Sequence, residues 1–207
     1  DPNQILAKTH WLRQQRPMPD GKPQLCLSDF VAPKESGQID YIGAFAVTTG
    51  HGIDSHIKAF EDAHDDYQAI LLKALADRFA ESFAEHLHQR VRTEFWGYAQ
   101  DETLSNDDLI REKYRGIRPA PGYPACPDHR EKRTLWDLLD VEATTGISLT
   151  ESLAMWPTAS VSGFYFAHPD ARYFTLGTIG QDQLTSYSQL RRETTEENAR
   201  WLSPILS

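Results

Sequence analysis

From Ile53 to Trp96 the chain carries neither glycine nor proline. Apolar residues recur through this stretch at Tyr67, Ile70, Leu71, Ala74, Leu75, Phe79, Phe83, Leu87, Val91 and Phe95. Steps of three and four place these side chains on one stripe of an α-helix. The pattern predicts a short helix starting near Asp54 and a long one from about Asp65 to Phe95. At ~1.5 Å per residue the long helix spans ~45 Å, which makes it the main support of the scaffold. A stripe this apolar is expected to avoid water, burying Leu71, Leu75, Phe79 and Leu87.

The remaining elements are shorter. Ile5, Leu6, Trp11 and Leu12 open the chain with a helical pattern, which the prolines and glycine of Arg16–Pro23 end in a loop. Tyr41–Val47, bounded by Pro33–Gly37 before it and Thr48-Thr49-Gly50 after it, suits a buried strand. Ser105 is placed to cap a short helix that ends before Gly116. Gly116–Pro127 holds four prolines and two glycines, which excludes helix and central strand alike. A helix is expected from Glu131 to about Thr144, stopped at Gly146. Leu153–Trp156, Val161–Phe166 and Arg172–Ile179 read as strands, the last two joined into a hairpin by His168-Pro169-Asp170. Helices near Gln181–Arg191 and Thr195–Leu202 close the chain. Strands joined by turns rather than helical crossovers predict an α+β fold: a twisted, largely antiparallel sheet packed with helices, one of them long and central. No repeat or splitting linker interrupts it, so residues 1–207 read as a single domain.

Charge and cysteine usage narrow the function classes. The net formal charge of -9, from 21 basic and 30 acidic residues, disfavours nucleic acid and anionic membranes as partners. The longest apolar stretches fall well short of the ~18 residues a membrane helix needs. Asp1-Pro2-Asn3-Gln4 lacks the basic-then-apolar pattern of a signal peptide. Cys26 and Cys126 are the only cysteines and form no C-x-x-C, so neither a disulfide framework nor a zinc or dithiol centre is expected. That usage fits a reducing, cytoplasmic setting.

Three constellations could carry chemistry. The Gly116–Pro127 loop is stiffened by proline and loses little entropy on holding a ligand. Backbone groups near Ala120, Gly122 and Tyr123 have no ladder partners and are expected to be free for a ligand. Arg118 offers a fork for a carboxylate and Tyr123 an aromatic face. The plainer reading is a rigid connection with Arg118 in an ordinary salt bridge. The histidines show no metal-ligand spacing: His86 and His88 point apart on a helix, and surface or capping roles are expected for the set. Asp77, Glu81 and Glu85 lie four apart on one helix face, either a solvated acidic line or a wall able to receive a cation. No G-x-S-x-G, P-loop or G-x-G-x-x-G is present.

The segment Gly116–His129, with Arg118, Gly122 and Tyr123 in an Arg-x-x-x-Gly-Tyr pattern, closely resembles the S-adenosylmethionine-binding motif of the activation domain of cobalamin-dependent methionine synthase. Leu27–Lys34, Asp40–Thr48, Lys73–Arg78, Leu149–Ser152 and Ser160–Phe166 are similar to the same family, in register from about Leu25 to the C-terminus.

The resemblance implies a module that binds S-adenosylmethionine during reductive methylation of oxidised cobalamin. It would thereby support methyl transfer from methyltetrahydrofolate to homocysteine as one part of a methyltransferase. It implies that Arg118 grips the methionyl carboxylate, that the backbone at Ala120 and Gly122 meets the nucleoside, and that Tyr123 lies beside the reactive end. Tyr173 and Phe174 would line the adenosyl side, and Glu81 would face the ammonium group. No catalytic residue and no metal ligand is assigned. Implied partners are the cobalamin-binding module, which holds the cobalamin, and flavodoxin or a flavoprotein reductase. The family domain is longer at its N-terminus, where it carries a further acidic ligand-binding residue, so this chain is expected to be the C-terminal portion of such a domain. Arg130 stands where the family usually has Thr, with little expected effect on binding. From another class, the alternative is a protein-interaction module that docks flavodoxin and the cobalamin module without appreciable ligand affinity.

Overall fold

The computed structural model describes residues 4–207, so the Asp1–Asn3 part of the N-terminal reading lies outside the described residues. The chain divides into two compact units, each discontinuous in sequence. The first combines the chain up to Ala44 with Arg115–Leu138 and Gly163–Ser207. The second combines Phe45–Tyr114 with Leu139–Ser162.

In the second unit, α1 (Ile53–Asp62) packs against α2 (Asp66–Arg90), whose last turn widens to a π-helix at Val91–Phe95. The Asp65 carboxylate caps α2 by accepting from the Gln68 N–H at 3.1 Å. The long helix is therefore present as expected, but its buried face is not the expected one. Ala69, Ala76, Ala80, Ala84 and His88 are buried. Leu71, Leu75 and Phe79 are exposed, Phe79 by 64% of its surface, and Leu87 is only half-buried. Small side chains decide this: alanine lets a neighbouring backbone come close, and the Thr49 hydroxyl donates to the Ala76 carbonyl at 2.7 Å. His88 is likewise no surface histidine. It is fully buried, 3.3 Å from the Tyr98 hydroxyl and edge-on to the Tyr114 ring. Ser105 caps α3 (Asn106–Ile110) through a reciprocal pair with Asp108.

The expected helix after Glu131 is two: α4 (Glu131–Leu139) and α5 (Val141–Thr145), parted at Asp140, which adopts a left-handed φ of 49°. The fold is α+β with small sheets. The strand expected within Tyr41–Val47 forms as β1 (Gly43–Thr48), which alternates half-buried positions with buried Phe45 and Val47, so one of its faces is the more deeply buried. β2 (Ser148–Leu149) and β3 (Met155–Trp156) form an antiparallel pair, and β1 pairs with β4 (Ser160–Tyr165).

In the first unit, the opening residues are irregular rather than helical. The Gln14 N–H donates to the Leu25 carbonyl, and the Gln14 side chain bonds to Leu25 N and Thr175 O at 2.9 Å each, so tertiary pairing overrides the local pattern. The expected hairpin of Val161–Phe166 with Arg172–Ile179 does not form. The Gly/Pro loop takes that edge: Phe164 N–H donates to Pro119 O at 2.9 Å, and Phe166 and Ile117 exchange bonds of 3.0 Å. Residues 172–179 run as irregular chain, and Leu176 and Ile179 join Leu12, Leu184, Tyr187 and Leu202 in the core beneath α6 (Gln181–Arg191) and α7 (Thr195–Leu202).

Candidate functional site

The loop after Gly116 is held by its own turns. Gly122 N–H donates to Cys126 O at 2.7 Å, Tyr123 N–H to Ala120 O at 3.2 Å, and Cys126 N–H to Tyr123 O at 2.9 Å. The amides of Gly122 and Tyr123 are therefore committed inside the loop, against the expectation that they were free. Lacking a ladder is not lacking a partner. Gly122 has a φ of +97°, open to glycine at little strain, and the His129 ring lies against it, with both ring nitrogens 2.7 Å from where a Cβ would stand. Lys132 Nζ donates to His129 Nδ1 at 3.1 Å. Burial, then the Lys132 charge, holds the His129 pKa below its ordinary value, which suits an accepting ring nitrogen.

Arg118 is half-buried, and its backbone N–H donates to the Tyr173 hydroxyl at 3.0 Å. Leu176 N–H donates to Pro124 O at 3.0 Å. The structure thus brings Arg118, Ala120, Gly122 and Tyr123 into one loop alongside the Tyr173–Leu176 segment, with the Tyr123 side chain exposed. Tyr173 and Phe174 line an open groove of about 690 Å³ with Gln14, Arg16, Met18 and Arg172. Arg118 and Tyr123 lie outside that lining. Glu81 belongs to the second unit. It is exposed on α2 and, with Asp77 and Arg78, lines a cleft of about 380 Å³ against Thr158, Ser160 and Val161. No group of three or more metal-ligating side chains occurs among the described residues, and no helix there is long and apolar enough to cross a membrane.

Sequence reasoning missed the charged cluster directly behind the loop. Arg130, set aside as lying beyond the motif, is 3% exposed. Its guanidinium donates to Asp128 Oδ2 at 2.6 Å, to Glu193 at 2.5 Å and to Asn198 Oδ1 at 2.6 Å. Asp128 also accepts from the Tyr187 hydroxyl at 2.9 Å, and Arg191 donates to Glu131 at 2.6 Å and to Glu193 at 3.0 Å. Together these pairs tie the start of α4 to α6 and α7. Burial pushes the Asp128 pKa up, but the Arg130 hydrogen bonds outweigh it and hold the carboxyl below its ordinary range. The available signal was the run Asp128-His129-Arg130-Glu131-Lys132, five titratable residues that a folded core must pair or expose.

Glu131 is 1% exposed, with Oε2 lacking a hydrogen-bond partner. Burial outweighs Arg191 and pushes its pKa from 4.5 to about 7. A raised folded-state carboxyl pKa means that the folded state binds the extra proton. Its stabilising effect is complete below pH 4.5 and is lost as pH rises through 7, by about 3 kcal/mol. His10, whose pKa is lowered by burial and then by Arg191, acts in the opposite sense over part of this range. The difference between the protein and Glu131→Gln isolates the carboxyl. Urea midpoints at pH 5 and pH 8 should show the variant gaining relative stability at the higher pH, and parallel midpoints would remove the assignment.

A Pro/Gly loop carrying Arg118 and Tyr123, backed by buried ion pairs and flanked by an aromatic-lined groove, is built into this α+β fold. The chain belongs to the family described as vitamin B12 dependent methionine synthase, activation domain, which matches residues 1–192. Among solved structures, it is similar to the crystal structure of the MetH reactivation domain bound to AdoHcy, at 56% identity and a TM-score of 0.96. The match covers 99% of this chain and 63% of that one, so the chain spans under two thirds of that relative's length.

Proposed function

We propose that this chain binds S-adenosylmethionine and presents it for reductive reactivation of cobalamin in a cobalamin-dependent methionine synthase. The observation carrying this reading is the pairing of the Arg118–Tyr123 loop with Tyr173, in a chain 56% identical to a reactivation domain solved with AdoHcy. The residues suit a zwitterionic nucleoside ligand. The Arg118 fork matches a carboxylate, and the groove lined by Tyr173 and Phe174 has the volume of small-molecule sites, ~300–1,000 Å³. Glu81 would offer its carboxylate to the ammonium group, and exposed Tyr123 would stand beside the sulfonium end. When bound, S-adenosylmethionine supplies an activated methyl group, and cobalamin would be held by another module. The chain's own work is to bind, orient and exclude water. Flavodoxin or a flavoprotein reductase would supply the electron, in the cytoplasm, where two free thiols such as Cys26 and Cys126 are stable.

Isothermal calorimetry tests the reading. Arg118→Ala should weaken S-adenosylmethionine binding by about 10–100-fold, the equivalent of ~1.5–3 kcal/mol for a charge-assisted hydrogen bond. The docking alternative, a module that meets flavodoxin and the cobalamin module without appreciable ligand affinity, makes the opposite prediction. Heat of binding absent from the unmodified chain would select docking. Binding that Arg118→Ala leaves unchanged would remove Arg118 from the site.

A further inference from the structure

His129 stands between a braced cluster and the ligand loop. Behind it, its two chain neighbours are fixed: Asp128 accepts from Tyr187 on α6, and Arg130 donates to Asn198 on α7 and to Glu193 between those helices. The Lys132 N–H donates to the His129 carbonyl at 3.1 Å as α4 begins. In front of it, the imidazole fills the space that a side chain at Gly122 would take. Gly122 lies in the turn that follows Arg118 and carries Tyr123, closed by the bond from Gly122 N–H to Cys126 O. One bond sets how the ring sits. An ammonium has no lone pair, so Lys132 Nζ, 3.1 Å from Nδ1, is the donor, and the neutral ring keeps its proton on Nε2. We infer that His129 is a positioning residue for the ligand loop: its ring, held by Lys132 and braced from behind, keeps the Gly122 turn in the form that presents Arg118 and Tyr123. The inference rests on the proposed ligand reading and adds to it a residue that acts through the loop rather than by contact with ligand.

A proton on Nδ1 would undo the arrangement. It removes the lone pair that Lys132 uses and sets a second positive charge against the ammonium. The charged groups that act on the ring are few. Burial and then Lys132 hold the His129 pKa below 6.5, with Asp128 opposing. Arg130 and Arg191 bear on Asp128. Cys126, in the loop, acts on Lys132 but stays a neutral thiol, because burial raises its pKa. A lowered folded-state pKa means that the held form is favoured above pH 6.5 and loses ground as pH falls through the folded value. Linkage is reciprocal, so a ligand that needs the held form must in turn make His129 harder to protonate.

AdoHcy is the probe for the test, because it lacks the sulfonium charge that would itself oppose a protonated ring. Calorimetry at pH 8 should show His129→Ala binding AdoHcy about threefold or more weaker than the unmodified chain. His129→Asn should recover part of that loss, since its amide oxygen reaches the place of Nδ1 and accepts from Lys132 without titrating. Between pH 8 and pH 5 the unmodified chain should lose about twofold more affinity than His129→Asn does. Glu131 titrates in the same range, but it is common to both and cancels. In the unmodified chain, the His129 ring followed by NMR should titrate at lower pH with AdoHcy bound than without it. Equal affinities for the three forms, or a ring titration that bound AdoHcy leaves in place, would overturn the inference and leave the ligand reading standing. No heat of AdoHcy binding to the unmodified chain would remove the ligand reading, and this inference with it.

Discussion

Arg130→Ala is expected to lower the free energy of unfolding by about 3–5 kcal/mol. The substitution removes a guanidinium that is almost wholly buried and leaves Asp128, 2% exposed, as a desolvated charge. Tyr187 would still donate to Asp128 at 2.9 Å, but one neutral hydroxyl does not replace a cation. Glu193 and Asn198 lose a partner as well. Glu193→Ala should be milder, because the Glu193 side chain is partly open to water at 26% and water can take over its bonds. Arg130→Lys should recover only part of the loss, since an ammonium cannot reach three acceptors from a planar fork. Urea unfolding checks all three, and an Arg130→Ala midpoint within error of the unmodified protein would show the network to be dispensable. The same result bears on ligand binding: Arg130→Ala should reduce it only in proportion to unfolded protein, whereas Arg118→Ala should reduce it in folded protein.

Gly122→Ala is expected to abolish measurable S-adenosylmethionine binding at concentrations that saturate the unmodified chain. A methyl group there overlaps the His129 ring, and the φ of +97° strains any residue with a Cβ by roughly 1–3 kcal/mol. Either the ring must leave or the turn from Ala120 to Cys126 must open. His129→Ala in the same chain tests which. Removing the ring relieves the overlap but not the backbone strain, so the double variant should regain part of the binding. Failure of His129→Ala to restore any binding to Gly122→Ala would mean that the backbone alone sets the requirement. Circular dichroism separates local loss from unfolding.

Local chemistry was legible where it acts alone. Asp65 and Ser105 cap the helices they were expected to start, and Gly146 ends α5 with a left-handed φ of 71°. Misreadings occurred where two local options were equal and distant contacts chose between them. Both faces of α2 could be buried, and alanine won over leucine and phenylalanine because close approach was worth more than side-chain bulk. Val161–Phe166 had two candidate partners, and the Gly/Pro loop, not Arg172–Ile179, holds the edge. The irregular Gly/Pro loop that carries Arg118, Gly122 and Tyr123 was readable from its prolines and glycines, but the turn that consumes the Gly122 and Tyr123 amides was not. Arg130 was missed for a different reason: the run Asp128–Lys132 signals that its charges must be paired or exposed, but not that two of Arg130's acceptors, Glu193 and Asn198, lie 63 and 68 residues away.

The discontinuity of the two units governs how this protein reaches its native state. The first unit cannot close its core until Leu12 meets Leu176, Leu184 and Leu202, with the whole of the second unit's chain lying between them in sequence. Loop closure over such separations slows folding far more than it lowers stability. During synthesis, Leu12 and Phe30 must wait for Leu176 and Phe166 while the second unit's residues emerge. The second unit, whose α1 and α2 are neighbours in sequence, has local contacts available much earlier. Folding order is thus written into the chain's path, and a ribosome-stalled product ending at Ser162 would hold α1 packed on α2 with the first unit still unfinished.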